Sequence, residues 1–170
     1  MDVLDGDAVR LRPATTDDVD RLVAIRATTE VHRRWGGADL AAEISADLTD
    51  DDLHLLVVED SDGNTIGAIQ WEEEAEPDYQ HASIDIFLAP AAHGRGLGTA
   101  AVRTLARHLM ADRGHHRITI DPAADNAPAI RCYEKVGFRA VGVMRHCERG
   151  PDGTWHDGLL MDLLADDLET

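Results

Sequence analysis

A chain of 170 residues is the length of one domain, long enough to bury roughly 70% of the surface its unfolded form exposes, and too short for a multidomain machine. Lys and Arg number 16 against 33 Asp and Glu, a formal charge of −17 at pH 7 with histidine neutral. This excludes a general nucleic-acid or anionic-membrane binder and favours cationic partners.

At 44% hydrophobic and 29% charged residues, the composition is that of a globular protein and not of a disordered acidic tail. No stretch approaches the ~20 apolar residues of a membrane helix. The start, Met1-Asp2-Val3-Leu4-Asp5, lacks the basic region and apolar core of a signal peptide. A soluble, cytoplasmic chain is therefore expected, with no membrane partner. Cys132 and Cys147 cannot build a disulfide framework or a Cys-x-x-Cys zinc pair, and they are expected as reduced thiols.

Val9-Arg10-Leu11-Arg12 alternates like a short strand before Pro13. Thr15-x-x-Asp18 then reads as a helix start, with Val19, Leu22, Val23 and Ala27 expected on one face. The stretch from Glu30 ends in Trp35-Gly36-Gly37, which breaks helical periodicity, and Leu40, Ile44 and Leu48 suggest a second helix. Leu53 to Glu59 and Thr65 to Trp71 are β-branched, apolar runs around Asp62-Gly63-Asn64, a hairpin signal. Glu72 to Gln80 reads as an acidic connection, whose dense charge has a solvated loop as its default meaning. Ser83 to Leu88 is a further strand, stopped by Pro90.

A glycine loop, Gly94-Arg95-Gly96-Leu97-Gly98, opens a long periodic segment in which Leu97, Ala101, Leu105 and Leu109 share a face. Arg117 to Asp121 is a short strand ended by Pro122, and Asn126 begins a helix with Pro128 in its first turn and Gly137 past its end. Phe138 to Cys147 and His156 to Leu163 close the chain as two strands around Gly150-Pro151-Asp152-Gly153. The order predicts an α/β (α+β) fold with one mixed, mostly antiparallel sheet flanked by helices.

Alternating glycines at a helix start expose backbone N–H groups in a favourable dipole, a cradle for anions. The same pattern also serves as a plain tight turn. A P-loop is excluded by the missing Gly-Lys-Ser/Thr ending, and a dinucleotide fingerprint by its missing Gly-x-x-Gly interval. The histidines, His115-His116 included, show no ligand spacing, so no metal is expected. Asp85 lies opposite Ile84 and Ile86 on its strand, where a carboxylate faces either a cleft or solvent. Asp121 ends a strand, a common place for ligand-facing groups, although Asp-Pro is also a turn signal. Tyr133 is either a proton donor or a core tyrosine, and Trp35 either stacks on a sugar or anchors the first helix.

His93-Gly94-Arg95-Gly96-Leu97-Gly98 resembles the coenzyme A pyrophosphate loop of the GNAT N-acetyltransferases, Gln/Arg-x-x-Gly-x-Gly/Ala, with His93 in place of the usual Gln or Arg. Asn126 to Phe138 resembles the family's Asn-x-x-Ala-x-x-x-Tyr-x-x-x-Gly-Phe helix. The chain is most similar to the aminoglycoside 6′-N-acetyltransferases, through Trp35-Gly36-Gly37, Ile66-Gly67-Ala68-Ile69-Gln70, Ile84-Asp85 and Asp121-Pro122. Its connection from Trp71 to Gln80 is shorter than the family's.

The resemblance implies a single GNAT domain over residues 1–170, using acetyl-CoA as cosubstrate and no metal. It implies coenzyme contacts from His93, Gly94, Arg95, Gly96, Leu97, Gly98, Thr99 and Asn126. Substrate contacts fall to Trp35, Gln70, Asp85 and Asp121, and catalysis to Asp85 as base and Tyr133 at the sulfur. The implied partner is a cationic small-molecule amine, first the 6′-amine of an aminoglycoside, for a monomer or homodimer. Alternatives are a siderophore precursor, a polyamine, a protein N-terminus, or a silent acetyl-CoA sensor.

Overall fold

The structure, a computed structural model, describes residues 2–168. Strands β1 (Leu4–Asp5) and β2 (Val9–Pro13) lead into helices α1 (Val19–Arg26), α2 (Thr29–Trp35) and α3 (Leu40–Asp47). Then come β3 (Leu53–Asp60), β4 (Thr65–Glu74), β5 (His81–Leu88), α4 (Leu97–Ala111), β6 (Arg117–Ile120), α5 (Ala127–Glu134), β7 (Arg139–Arg149) and β8 (Trp155–Leu164). They form an 8-stranded sheet of order β1-β2-β3-β4-β5-β6-β8-β7. Every neighbouring pair is antiparallel except β5–β6.

Period-2 alternation divides the core between the two faces of the sheet. Ile84 of β5 packs with Ile69, Ile118 and the stripe Leu97, Ala101, Leu105 and Leu109 of α4. Ala68 and Phe87 point the other way, against Leu22 and Ile25 of α1, Val31 of α2 and Ile44 of α3. The alternation therefore places Asp85, next but one to Phe87, on the α1–α3 side. At the start of this layer Arg12 clamps the chain, donating to Asp18 at 2.7 and 2.8 Å and to Glu59 at 2.6 Å.

The parallel junction is brief. Only Ala82↔Ile118 and Ser83↔Thr119 pair between β5 and β6, with a side-chain hydrogen bond between Ser83 and Thr119 at 3.0 Å. Beyond them β5 runs on to Leu88 without a partner on that side, and β6 stops at Ile120.

Several local expectations are corrected. Trp35-Gly36-Gly37 ends a helix, α2, where none was expected: Val31 is buried and Gly36, at φ 61°, stops the helix. In α1 the buried positions are Leu22, Ile25 and Arg26, while the helix ends before Ala27, which is exposed. Glu72, Glu73 and Glu74 are not loop: they pair with Ser83, Ala82 and His81, so ladder hydrogen bonds override their poor strand propensity. The acidic run therefore lies at the opposite end of β5 from the glycine loop, roughly 25 Å away at ~3.3 Å per residue. Gly98 and Thr99 belong to α4 itself, which starts at Leu97.

Gly137 turns the chain from α5 into β7 at φ 116°, and a Cβ there would collide with the backbone of Asp167. Strain and collision both act on Gly137→Ala, which is expected to cost about 1–3 kcal/mol. Thermal unfolding should show a drop of about 2–4 °C per kcal/mol.

Candidate active site

After β5 the chain makes a short turn at Pro90–Ala92 and enters the glycine loop. Gly94 and Gly96 take φ 71° and 77°, left-handed values that side chains resist. A Cβ on either would meet nothing within 4 Å, so the backbone faces open space. The first N–H groups of α4 have no helical partner and point the same way. His93 holds the loop in place, its Nε2 lying 2.9 Å from the carbonyl oxygen of Leu88.

A cavity of about 560 Å³ opens beyond this loop. Its lining includes His93, Gly94, Gly96, Gly98, Thr99, Asn126, Tyr133 and Trp35 among the expected residues. Arg95, Leu97, Gln70, Asp85 and Asp121 are not part of that lining. Leu97 is only 6% exposed, so its side chain serves the core and only its backbone, at the first residue of α4, borders the loop. Arg33, Arg34, Arg131 and Lys135 also line the cavity, a basic group on a chain of charge −17. Outward-facing loop amides beside these cations fit a phosphate-bearing coenzyme.

On the α5 wall, Asn126 caps the helix by accepting from the N–H of Ala129 at 3.4 Å. Thr99 and Cys132 touch through Oγ1 and Sγ at 3.3 Å. Tyr133 is buried, its ring tilted against Phe138 with centroids 6.2 Å apart. Burial pushes its phenol well above the usual value, and the charge of Asp85 adds to the shift, so the hydroxyl remains a proton donor at neutral pH.

On the α1–α3 side, Trp35 meets Phe87 edge-on at 4.9 Å. Arg26 is buried beneath this corner: its guanidinium lies 5.5 Å from the Trp35 ring and donates to Glu43 at 3.1 Å and to the Gly36 carbonyl at 3.4 Å. Asp85 sits beside Phe87 on β5, opposite Gln70 of β4 in register, and accepts from the N–H of Ile86 at 2.9 Å. Asp85 is exposed beside Phe87, yet protein atoms crowd around it on the remaining sides. Desolvation pushes it up to about 7, opposed by the Ile86 N–H and Arg26 and reinforced by Asp121 and Glu148. Asp121 is also raised, by desolvation.

Sequence reasoning missed Arg26, Phe87, Glu148 and the Arg34–Asp125 ion pair that joins α2 to the loop before α5. Arg26 was findable, since it occupies the i+4 place after Leu22 on the buried stripe. Phe87 follows from the same alternation that singles out Asp85. Glu148 and Arg34–Asp125 carry no local signal.

A family model described as Acetyltransferase (GNAT) domain matches residues 8–139. The aminoglycoside N(6′)-acetyltransferase type 1 of Klebsiella pneumoniae is 34% identical over 168 residues, spanning 87% of this chain and 80% of the relative. Among solved structures, AAC(6′)-Ib in complex with paromomycin and acetyl-CoA has a TM-score of 0.77 at 30% identity, covering 95% of this chain and 96% of that one. Mycobacterium smegmatis RimJ in complex with CoA-disulfide has a TM-score of 0.84 at 23% identity, covering 99% and 90%, a likeness of fold alone.

The enclosed carboxylate has a measurable effect on stability. With its carboxyl raised to about 7, Asp85 binds more protons in the folded than in the unfolded chain between the usual carboxylate value of ~4 and its own. Stability therefore falls as pH rises through that window, and the full penalty stands above it. Asp85→Asn is expected to melt higher than the parent at pH 8, with the gain vanishing near pH 4. A variant less stable than the parent at pH 8 would refute the enclosed charge.

Proposed function

The chain belongs to the GNAT acetyltransferase family, and we propose that it transfers an acetyl group from acetyl-CoA to a primary amine, first of all the 6′-amine of an aminoglycoside. The observation that carries this reading is the charge arrangement of the site. Cations gather around the glycine loop, whereas Asp85 and Asp121 form no ion pair among the described residues. One end suits a phosphate and the other an ammonium. The 34% identical aminoglycoside relative supports the choice of amine.

In this reading the chain works as one acetyltransferase domain, and no metal takes part. Acetyl-CoA supplies the acetyl group as a thioester. The amides of Gly94 to Gly98 hold the pyrophosphate, with Arg33, Arg131 and Lys135 lining the same cavity. His93 anchors the loop to β5 through Leu88, and Asn126 hydrogen-bonds the pantetheine arm while capping α5. Trp35 and Phe87 wall the sugar side. Gln70 lies across from Asp85, and Asp121 takes a further polar group of the acceptor.

Asp85 receives the ammonium and removes its proton, either directly or through water. A carboxyl raised to about 7 suits that work, because a base is most effective when its pKa lies near the working pH. Tyr133, kept neutral by burial, offers its O–H to the departing sulfur.

Thiol release measured with a 6′-amino aminoglycoside, a 6′-hydroxyl analogue, a polyamine and a peptide tests the substrate. Only the 6′-amino compound among the aminoglycosides should be acetylated; turnover of the 6′-hydroxyl analogue at another amine would remove the 6′ assignment. Asp85→Asn should lose ~10²-fold or more in kcat, as expected for a general base, while still binding acetyl-CoA. The acidic limb of kcat/KM near pH 7 should disappear with it. Separately, Tyr133→Phe should reduce kcat with little change in the KM for acetyl-CoA, because the hydroxyl acts as the thiolate leaves. Equal effects on both constants would return Tyr133 to a packing role.

A further inference from the structure

The hairpin of β7 and β8 is irregular where it passes the acceptor side. Met144 lies opposite Gly158 and Glu148 opposite His156, so β7 carries extra residues over that stretch. His146 sits in this bulge at φ 49°, its N–H held by Asp157 Oδ1 at 2.8 Å. A bulge bends the strand that carries it and strengthens its twist.

The bent hairpin reaches the opposite wall of the cleft. Pro151 at its tip lies against Gly36, with Cγ 3.3 Å from where a Cβ on Gly36 would stand. Gly36 follows Trp35, which rests on Phe87, next but one to Asp85. The hairpin thus runs from the sheet edge to the α2–α3 corner, over the face that bears Asp85. Glu148, shortly before the tip, is close enough for its charge to act on Asp85.

Several carboxylates of this side are already engaged: Glu43 by Arg26, Asp125 by Arg34 and Asp162 by Arg117. Among the described residues Asp85, Asp121 and Glu148 form no ion pair. Like charges brought together repel, and a ligand with two positive charges relieves more of that repulsion than a ligand with one.

We propose that Glu148 is a specificity-determining residue: carried over the cleft by the bulged hairpin, it receives a second ammonium of the acceptor, so that polyamines are favoured over monoamines. The inference rests on the proposed acetylation of an amine and adds how the acceptor is chosen. The charges that act on Asp85 are those of Arg26 from α1, Asp121 after β6 and Glu148 from β7; its own charge acts on Tyr133 from α5, and on the neighbouring strand Glu72 stands two residues along the same face. Removing Glu148 takes away one of the negative charges that raise Asp85.

The test compares the parent with Glu148→Gln and Glu148→Asp, using kanamycin as a polyamine acceptor and a simple primary monoamine. Glu148→Gln should raise the KM for kanamycin about tenfold, at least several times more than for the monoamine, as expected when one partner of a close charge pair is lost. Glu148→Asp, which keeps the charge, should restore most of the preference. The acidic limb of kcat/KM should also move to lower pH in Glu148→Gln, since Asp85 loses a negative neighbour. Calorimetric binding of kanamycin should weaken in parallel. Acetylation that persists with an unmoved limb, or with equal losses on both acceptors, overturns the assignment of Glu148 alone. A parent chain that acetylates no amine overturns the proposed function, and this inference with it.

Discussion

Two residue pairs, Ala82↔Ile118 and Ser83↔Thr119, hold β5 to β6, and the working surface of the protein begins where they stop. A parallel strand that loses its neighbour exposes backbone groups that in a closed sheet would be paired. Here the stretch without a β6 partner, Ile84 to Leu88, leads directly into the glycine loop and α4. One wall of the cavity comes from α4 and α5 and the other from α2, so both layers of helices meet at this opening. The separation is therefore what allows residues packed on opposite faces of one sheet, Tyr133 on one and Asp85 on the other, to influence each other.

Charge is sorted along the same opening. The chain carries −17 overall, yet the cavity beside the loop is lined by Arg33, Arg34, Arg131 and Lys135. The unpaired carboxylates lie on the acceptor side. An acidic exterior draws cations in general, but a long-range field falls off within roughly 8–10 Å at physiological salt. Selection between ligands must then come from the local arrangement, in which partly enclosed groups are screened much less. The acidic run Glu72 to Glu74 pairs with Ser83, Ala82 and His81 and so leads away from the acceptor side along β5, with only Glu72 within two residues of Asp85 in register.

What the sequence makes legible is what depends on short-range pattern. The stripe of α4, the Asp62-Gly63-Asn64 hairpin and the cap at Asn126 are each encoded within a few residues, and each is found in place. The opposite facing of Asp85 and Ile84 likewise follows from period 2 alone. Features set by tertiary contact are not legible in this way. Val31 makes α2 a helix by being buried, although Trp35-Gly36-Gly37 argues against one. His93, which departs from the family's usual Gln or Arg, is placed by a hydrogen bond to a carbonyl that the sequence does not point to. Glu148 is displaced by a bulge, and a register shift changes which side of a strand each residue faces.

The basicity of Asp85 is a balance between elements that are separate in the chain. Enclosure, Asp121 and Glu148 raise its carboxyl, while the Ile86 N–H and Arg26 lower it. Arg26 is 5% exposed, and it holds the Gly36 carbonyl and underlies Trp35. Pro151 of the hairpin rests on that same Gly36. The corner that positions the lowering cation is thus the corner on which the hairpin bearing the raising anion is seated. A shift of the hairpin away from Gly36 would widen the cleft, admit water to Asp85 and withdraw Glu148 together, and each change lowers the carboxyl pKa. Shape and basicity of the acceptor site are in this way coupled through the hairpin's seat on Gly36, so a loose cleft would also be a cleft with a weaker base.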